Sequence, residues 1–210
     1  MYSLINKNIP VILENIERGH VAEYDWLSRR LKETDVSLDP EFQKRYKSYW
    51  EMDFARLSPA FCEFYFRVLE EGKSEDIEIR GLCQRLYEVP THKDEQKTIQ
   101  FSFATKLAHM IDPALPIYDN LVCSFYFLRV AWPKGEFSQR IESYLSVYRF
   151  LLRELERIKT KGLLESSIHE FRRQLKPECF TEEKIIDSLI RSFVTVAKKG
   201  AFQTGDLEYN

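Results

Sequence analysis

The sequence predicts an all-α fold. Apolar side chains recur at steps of three and four residues along nearly the whole chain, a spacing that places them on one face of a helix. Strand-like alternation of apolar and polar residues is scarce, and the 7 glycines lie mostly where helices are expected to end. The links between the predicted helices are short and bent by proline, which favours an orthogonal array of about nine to eleven helices over a parallel bundle.

The N-terminal part contains two clear helix starts. Residues 1–35 predict one or two helices from their apolar pattern. Beyond them, Asp39-Pro40 and Ser58-Pro59 each join a capping side chain to a proline suited to the first helical turn. These signals predict helices over 40–56 and 58–72. The first of the two has five aromatic side chains on one predicted face: Phe42, Tyr46, Tyr49, Trp50 and Phe54.

Proline and glycine also bound the later helices. Val89-Pro90 ends one helix, because the residue before a proline resists helical geometry. Gly162 is a natural end signal for another. These two helices are predicted over 75–88 and 138–161. The apolar pattern predicts four more, over 95–111, 120–131, 163–174 and 181–199.

A weak boundary divides the chain near residues 133–138, where Pro133-Lys134-Gly135-Glu136 breaks the helical pattern. It predicts an aromatic-rich helical lobe over 1–133 and a second helical lobe over 134–200 that packs on it. The two lobes are expected to form one compact unit. The tail, 201–210, has little to pack against and is predicted to be frayed.

Composition excludes several classes of protein. No apolar run approaches the roughly 20 residues that span a bilayer, and the first residues carry no secretory signal, so we expect a cytoplasmic protein. The 4 cysteines are too far apart for a zinc or disulfide framework and are expected to be buried. Histidine spacing predicts no metal site, and a glycine-rich phosphate loop is missing. We therefore expect no cofactor.

The C-terminal half is locally basic, with ten basic and six acidic side chains over residues 134–176. One stretch of the long helix could face phosphates. A solvated face of an amphipathic helix is the alternative explanation for the same pattern. The residues concerned are Arg149, Arg153, Arg157, Lys159 and Lys161.

Residues 97–127 contain the candidate chemistry. Lys106 and His109 are one helical turn apart, and Asp119 precedes the next helix beyond a short proline link. If the two helices fold back on each other, Lys106 and Asp119 converge. Desolvation lowers the pKa of an amine and frees its lone pair for attack, while a carboxylate accepts a proton. The structural alternative is a solvated lysine and a helix-capping aspartate.

The stretch FATKLAHMIDPALPIYDNLV resembles the core of the helix-hairpin-helix DNA glycosylase superfamily, in particular its divergent 8-oxoguanine and archaeal glycosylase-like branches. It is also similar to uncharacterised bacterial helical proteins that share the Leu-Pro-Ile-Tyr-Asp turn. The glycosylase resemblance implies Lys106 as the nucleophile and Asp119 as the assisting carboxylate. The interval between them is shorter than in the family, and Lys97 is the alternate nucleophile because it gives a longer one.

The resemblance therefore implies a DNA-binding protein with a DNA-glycosylase-like helical array. It would flip a base into an aromatic pocket near Lys106 and Asp119, while the basic helix contacts phosphates. The competing hypothesis is a non-catalytic interaction or structural protein in which Lys106 and Asp119 merely hold two helices together. The sequence leaves open which of the two is correct, and hence whether the protein is an enzyme.

Overall fold

The computed structural model describes residues 1–92, 96–128 and 135–200. About 70% of the chain is helical, and the described residues contain no strand, which confirms the predicted all-α class. The eleven α-helices of the described part, α1 to α11, are Tyr2–Lys7, Ile9–Glu14, Arg18–Glu33, Pro40–Tyr49, Pro59–Gly72, Ile79–Tyr87, Phe101–Ile111, Asn120–Phe125, Phe137–Thr160, Glu165–Leu175 and Glu182–Lys198. A 3-10 helix, Met52–Ala55, lies between α4 and α5.

Two of the predicted features lie outside the described residues, namely the tail 201–210 and the lobe boundary at 133–134. A single cluster of buried apolar side chains includes members of both predicted lobes. None of the helices in the described ranges is long and apolar enough to cross a membrane.

Capping side chains start several helices where the sequence predicts them. Asp39 accepts hydrogen bonds from the amides of Glu41 and Phe42 at 3.1 and 3.0 Å, and so begins α4. Ser58 accepts from the Phe61 amide at 3.0 Å and begins α5. These contacts confirm both start signals, because each satisfies amides that have no partner within the helix.

The predicted helix over 40–56 is wrong in its second half. Helix α4 ends at Tyr49, and Glu51 adopts a left-handed conformation with φ 59°. Arg56, on the other side of the 3-10 helix, is also left-handed with φ 52°. These two turns remove Phe54 from the aromatic face, and its side chain is 85% exposed instead of buried.

Helix α7 begins at Phe101 rather than at residue 95. The Thr91 amide donates to the Gln96 carbonyl at 2.9 Å, and the Thr98 amide donates to Thr91 Oγ1 at 3.1 Å. These bonds hold the chain before α7 in a non-helical turn. The segment 93–95 lies outside the described residues.

Two other predicted helices are shorter than expected. Helix α6 starts at Ile79, because the Glu78 carboxylate accepts from the Arg80 amide at 3.0 Å and caps it there. Helix α8 ends at Phe125, and Phe127 follows with a left-handed φ of 55°.

The N-terminus holds three helices, whereas the sequence predicted one or two. The break between α1 and α2 falls at Asn8, just before Pro10, which occupies the first turn of α2. Asn8 Nδ2 also donates to the Leu4 carbonyl at 2.8 Å and so binds a carbonyl at the end of α1.

Helix α11 occupies a central position. It packs against α2, α8 and α10, and it carries buried side chains around much of its circumference. A helix surrounded in this way must place its polar residues against other parts of the protein. This constraint creates the site described below.

We expect Asp39→Ala to lower the free energy of unfolding by about 2 kcal/mol at neutral pH. The substitution removes the α4 cap and the contact of Asp39 Oδ2 with Arg30 Nε at 2.6 Å. The Phe42 amide and Arg30 lower the pKa of Asp39. The stabilisation is therefore present above the unfolded-state pKa of about 3.9 and is lost as the pH falls through the folded-state pKa.

Denaturant unfolding at several pH values measures this difference. Asp76→Ala, at an exposed aspartate, is the matched control and should change the stability by less than about 0.5 kcal/mol. An unchanged stability in Asp39→Ala at pH 7 would contradict the prediction.

Candidate functional site

A polar cavity of about 330 Å³ lies between α11, α8 and the segments that follow α2 and α4. Its walls combine charged, hydroxyl and aromatic side chains, the mixture that is typical of ligand sites rather than of packing defects. Six of the lining residues determine its chemistry: His20, Tyr49, Trp50, Lys184, Asp187 and Arg191.

Helix α11 supplies the charged wall. Lys184, Asp187 and Arg191 follow one another at steps of three and four residues, so their side chains share one face of the helix. Thr181 caps this helix by accepting from the Lys184 amide at 3.3 Å. The polar face of α11 is thus turned inward, toward the cavity.

Lys184 and Asp187 form a buried ion pair. Lys184 Nζ lies 3.1 Å from Asp187 Oδ2, and both side chains are nearly inaccessible to solvent. The ammonium group also lies 4.8 Å from the ring centroid of Trp50 and 4.9 Å from that of Tyr24. Burial raises the pKa of Asp187, whereas the charge of Lys184 opposes that rise. The aromatic rings and the carboxylate together stabilise a cation in a dry environment.

Three polar atoms at the cavity have no hydrogen-bond partner within the described residues. They are Tyr49 Oη, Trp50 Nε1 and Asp187 Oδ1. The side chains that bear them are buried, with exposed fractions of 8%, 2% and 8%. A buried polar atom without a partner costs about 1–3 kcal/mol, so native proteins contain few of them. Two further atoms of this kind, Arg140 Nε and Tyr148 Oη, belong to residues that do not line the cavity.

Lys106 lies behind Trp50. Its Nζ donates to the Trp50 carbonyl at 3.1 Å and lies 5.0 Å from the ring centroid of Phe103. The side chain is 6% exposed. Burial, reinforced by the charge of Arg191, lowers the pKa of Lys106 to about 8. A substantial fraction of this amine is therefore neutral near physiological pH.

Asp119 is engaged by α8 and α11. Its Oδ1 accepts from the Val122 amide at 2.8 Å, which confirms the predicted cap, and its Oδ2 contacts the Arg191 guanidinium. No ion pair within the described residues joins Asp119 to Lys106. Arg191 is instead the electrostatic neighbour of both side chains. Asp119 thus contacts Arg191 directly, whereas Lys106 only feels the charge of that guanidinium.

His109 shares the helix with Lys106 but is fully bonded. Its Nδ1 is 2.7 Å from the Leu115 carbonyl, and its Nε2 is 3.1 Å from Tyr24 Oη. A carbonyl only accepts, so Nδ1 carries the proton and Nε2 accepts from the tyrosine. Burial, together with the charge of Lys184, lowers the pKa of His109 to about 3. This neutral histidine joins α7 to α3 and to the proline link.

The predicted phosphate-binding residues lie on α9 or directly after it, and three of them form ion pairs within the chain. Arg157 contacts Glu154 at 2.7 Å, Lys159 contacts Glu183 at 2.6 Å, and Arg149 lies 3.8 Å from Glu142. Two further residues of the predicted set, Arg153 and Lys161, are exposed and form no ion pair within the described residues.

Helices α9 and α11 border a space that is smaller than the cavity. Ile186 and Ile190 of α11 face Leu151 and Leu155 of α9 across a small space of about 30 Å³. Asp187 borders both this small space and the larger cavity. None of the basic residues of the predicted phosphate-binding set lines either space. The alternate nucleophile, Lys97, is exposed in the non-helical segment before α7.

The described residues contain no group of three or more His, Cys, Asp or Glu side chains that could hold a metal ion. Cys83 and Cys123 are buried as predicted, whereas Cys62 and Cys179 are only half-buried. Burial raises the pKa of each of these thiols. Raised pKa values keep them protonated and weakly reactive.

The fold and the cavity define an all-helical protein with a buried polar site. No protein-family model, curated protein or solved structure matches this chain.

Sequence reasoning missed the residues that build the cavity. The sequence analysis predicts the helix that carries Lys184 and Asp187 but assigns these two residues no role. Apolar residues flank them on both sides along the chain, and this was the available signal, because a helix with apolar residues around most of its circumference is buried. Tyr49 and Trp50, predicted to share an aromatic helix face, are buried and also border the cavity.

We expect the side chain of Lys106 to titrate with a midpoint near pH 8 in the folded protein, against about 10.4 in the unfolded chain. Side-chain NMR of labelled lysine measures the midpoint, and Lys106→Arg identifies the resonance. Because the unfolded chain binds this proton more tightly, wild-type stability should rise relative to Lys106→Met between those two pH values. A folded-state midpoint above 10 would contradict the burial of a charged amine.

We expect Asp119→Asn to lower the free energy of unfolding by about 2 kcal/mol, because it weakens the α8 cap and removes the charge opposite Arg191. A double-mutant cycle with Arg191→Met isolates the ion pair. The double variant should be more stable than the sum of the two single effects implies. Strict additivity would show that the contact between Asp119 and Arg191 contributes nothing.

Proposed function

We propose that this protein binds a nucleobase in the cavity beside α11, in the manner of a base-excision DNA glycosylase, and that Lys106 is its nucleophilic amine. The observation that carries the proposal is a polar cavity lined by the rings of His20, Tyr49 and Trp50 and by charged side chains of α11, with an amine behind Trp50 whose pKa is about 8. A DNA-glycosylase-like arrangement of the helices and a cytoplasmic location are parts of the same proposal.

The cavity suits a flat heterocycle. Tyr49 and Trp50 provide aromatic surface, and His20 stacks on Tyr49 with ring centroids 4.2 Å apart and an interplanar angle of 15°. Enzymes that act on bases read an extruded base through hydrogen bonds to its edge and through contact with aromatic side chains. Polar side chains that line the cavity and are only partly buried, among them Ser188 and Arg191, would supply the hydrogen-bonding groups for that edge.

Lys106 has the properties that a covalent mechanism requires. A neutral amine attacks C1′ of the sugar while the bond between C1′ and the base breaks; the base leaves with the bonding electrons and takes up a proton, and the attached amine loses one. Desolvation produces neutral amine at physiological pH. Lys106 now donates to the Trp50 carbonyl, so it would become the nucleophile when its side chain rotates away from that carbonyl. Asp187, a cavity residue whose charge acts on Lys106, is the nearby carboxylate.

DNA is the proposed partner, and the exposed cations on and just after α9 are the proposed phosphate contacts. Arg153 and Lys161 are the residues of that set without an intramolecular ion pair in the described part of the chain. Because neither residue lines the cavity, these contacts would involve nucleotides other than the one whose base is bound there. They would raise affinity without reading sequence.

A structural role for part of the motif is the second candidate function, favoured by the bonding of Asp119. Both of its carboxylate oxygens are engaged, one by the Val122 amide and one by Arg191. A carboxylate held in this way joins α8 to α11 and has little capacity left for a ligand. In this alternative, the protein is a non-catalytic interaction or structural protein.

We expect sodium borohydride to trap a covalent complex between this protein and oligonucleotides that carry damaged bases. Reduction converts an imine between a lysine and the opened sugar into a stable cross-link, which gel electrophoresis and mass spectrometry detect. Lys106→Ala should abolish the cross-link, and Lys198→Ala, at an exposed lysine, should retain it.

The alternate nucleophile is tested in the same assay. Loss of the cross-link in Lys97→Ala but not in Lys106→Ala would assign the reaction to Lys97. A cross-link that survives both substitutions together, or none with the wild type over a broad set of lesions, would argue against glycosylase activity.

A further inference from the structure

We infer that a separate cavity, formed by the start of α7 with parts of α8 and α9, binds a small phosphorylated ligand with an aromatic ring, of the chemical class of a nucleoside monophosphate. This space, the Arg140 cavity, has a volume of about 830 Å³ and shares no lining residue with the cavity beside α11. The inference therefore goes beyond the proposed function and does not depend on it.

The Arg140 cavity favours an anion. Its described lining includes Arg140 and His92 but no aspartate or glutamate. Arg140 is half-buried and forms no ion pair within the described residues, whereas Arg149 and Arg157 on the same helix are each close to a glutamate. A partly desolvated guanidinium without a counter-charge is costly, and its planar fork of N–H donors fits two oxygens of a phosphate group. A bound phosphate would supply the missing charge.

Hydroxyl and amide side chains surround this cation. Five of them line the Arg140 cavity, namely those of Thr98, Gln100, Ser102, Asn120 and Ser124. Gln100 Nε2 donates to Thr98 Oγ1 at 2.6 Å, and the Thr98 amide donates to Thr91 Oγ1 at 3.1 Å, so this part of the wall is held in place by the protein itself. The three terminal oxygens of a phosphate accept hydrogen bonds from several such donors at once.

Two half-buried tyrosines add an aromatic wall. Tyr118 and Tyr144 line the Arg140 cavity, with ring centroids 5.8 Å apart and an interplanar angle of 88°. Phe101 holds both rings, stacking on Tyr144 at 4.9 Å and meeting Tyr118 edge to face at 5.1 Å. Burial raises the pKa of Tyr144, and the charge of Arg140 opposes that rise, so the cation and the ring lie close together. A ligand that joins a phosphate to a flat ring matches this pair.

The size of the cavity and the kind of wall define the ligand further. A volume of about 830 Å³ lies within the range of small-molecule sites. Aromatic side chains contact the face of a base, which all bases possess, and so discriminate weakly between them. We therefore expect nucleotides with different bases to bind with similar affinity.

Calorimetric titration of the wild-type protein with AMP, adenosine and inorganic phosphate tests the inference. AMP should bind roughly 10- to 100-fold more tightly than adenosine, because hydrogen bonds to a charged group are the stronger ones. AMP should also bind about tenfold or more tightly than inorganic phosphate, because only the nucleotide stacks on the tyrosines. UMP should bind within about tenfold of AMP. This comparison needs no variant.

Variants then assign the two halves of the ligand. Arg140→Met should lower the affinity for AMP to that for adenosine, and Arg140→Lys should restore part of the preference, because it keeps the charge without the planar fork. Tyr144→Leu should weaken AMP and adenosine alike by about tenfold and leave inorganic phosphate unchanged. Arg172→Met, at an exposed arginine of α10 that lines neither cavity, is the matched control and should keep the full preference. Circular dichroism verifies that each variant is folded.

A competition experiment identifies the source of the nucleotide. Single-stranded oligonucleotides with a 5′-phosphate or a 5′-hydroxyl compete with AMP for the wild-type protein. Displacement by the phosphorylated strand alone supports the inference and assigns the site to a strand end. Displacement by neither strand supports it with a free nucleotide as the ligand.

Three results would overturn the inference. They are equal affinity of the wild type for AMP and adenosine, binding of neither, and a folded Arg140→Met that keeps the full preference. Loss of the preference in His20→Gln instead would place the phosphate in the cavity beside α11 and overturn it as well. A failure to trap a borohydride cross-link bears on the proposed function alone, because Lys106 does not line the Arg140 cavity.

Discussion

The buried ion pair between Lys184 and Asp187 governs the chemistry of the protein interior. Helix α11 is surrounded by α2, α8 and α10, so part of its polar face is cut off from bulk water. The desolvation of two such charges costs several kcal/mol per ion, and a mutual contact at 3.1 Å offsets only part of that cost. The rings of Trp50 and Tyr24 contribute further stabilisation of the ammonium.

The polar groups around α11 differ in how they are bonded. His109 uses both ring nitrogens, and Asp119 uses both carboxylate oxygens. Tyr49, Trp50 and Asp187 each keep one buried polar atom without a partner in the described chain, as do Arg140 and Tyr148 elsewhere. The cavity itself is lined by charged, hydroxyl and aromatic side chains, which is the mixture that ligand sites combine.

The helix starts were predicted correctly where they depend on residues close to each other along the chain. The caps Asp39, Ser58 and Asp119 each act on amides two or three residues away, and all three occur as predicted. The end of α4 could not be predicted, because a left-handed glutamate at position 51 depends on the packing around it. Phe54 was consequently assigned to the core although it is exposed.

The candidate site is built from residues that are far apart along the chain, and it was therefore harder to predict from the sequence. Arg191, the ion-pair partner of Asp119, is 72 residues away along the chain. The motif around Lys106 did identify a buried amine with a lowered pKa, and the charges that act on it include Arg191 and Asp187 of α11. These neighbours are distant along the chain, so the residues around Lys106 could not indicate them.

The most direct test of this account is the NMR resonance of the His20 ring, assigned by its loss in His20→Gln, during titration with a nucleoside such as uridine. The account predicts a shift that saturates with the ligand, because His20 lines the cavity and stacks on Tyr49. Binding that leaves this resonance unchanged would contradict the claim that the cavity beside α11 holds the base.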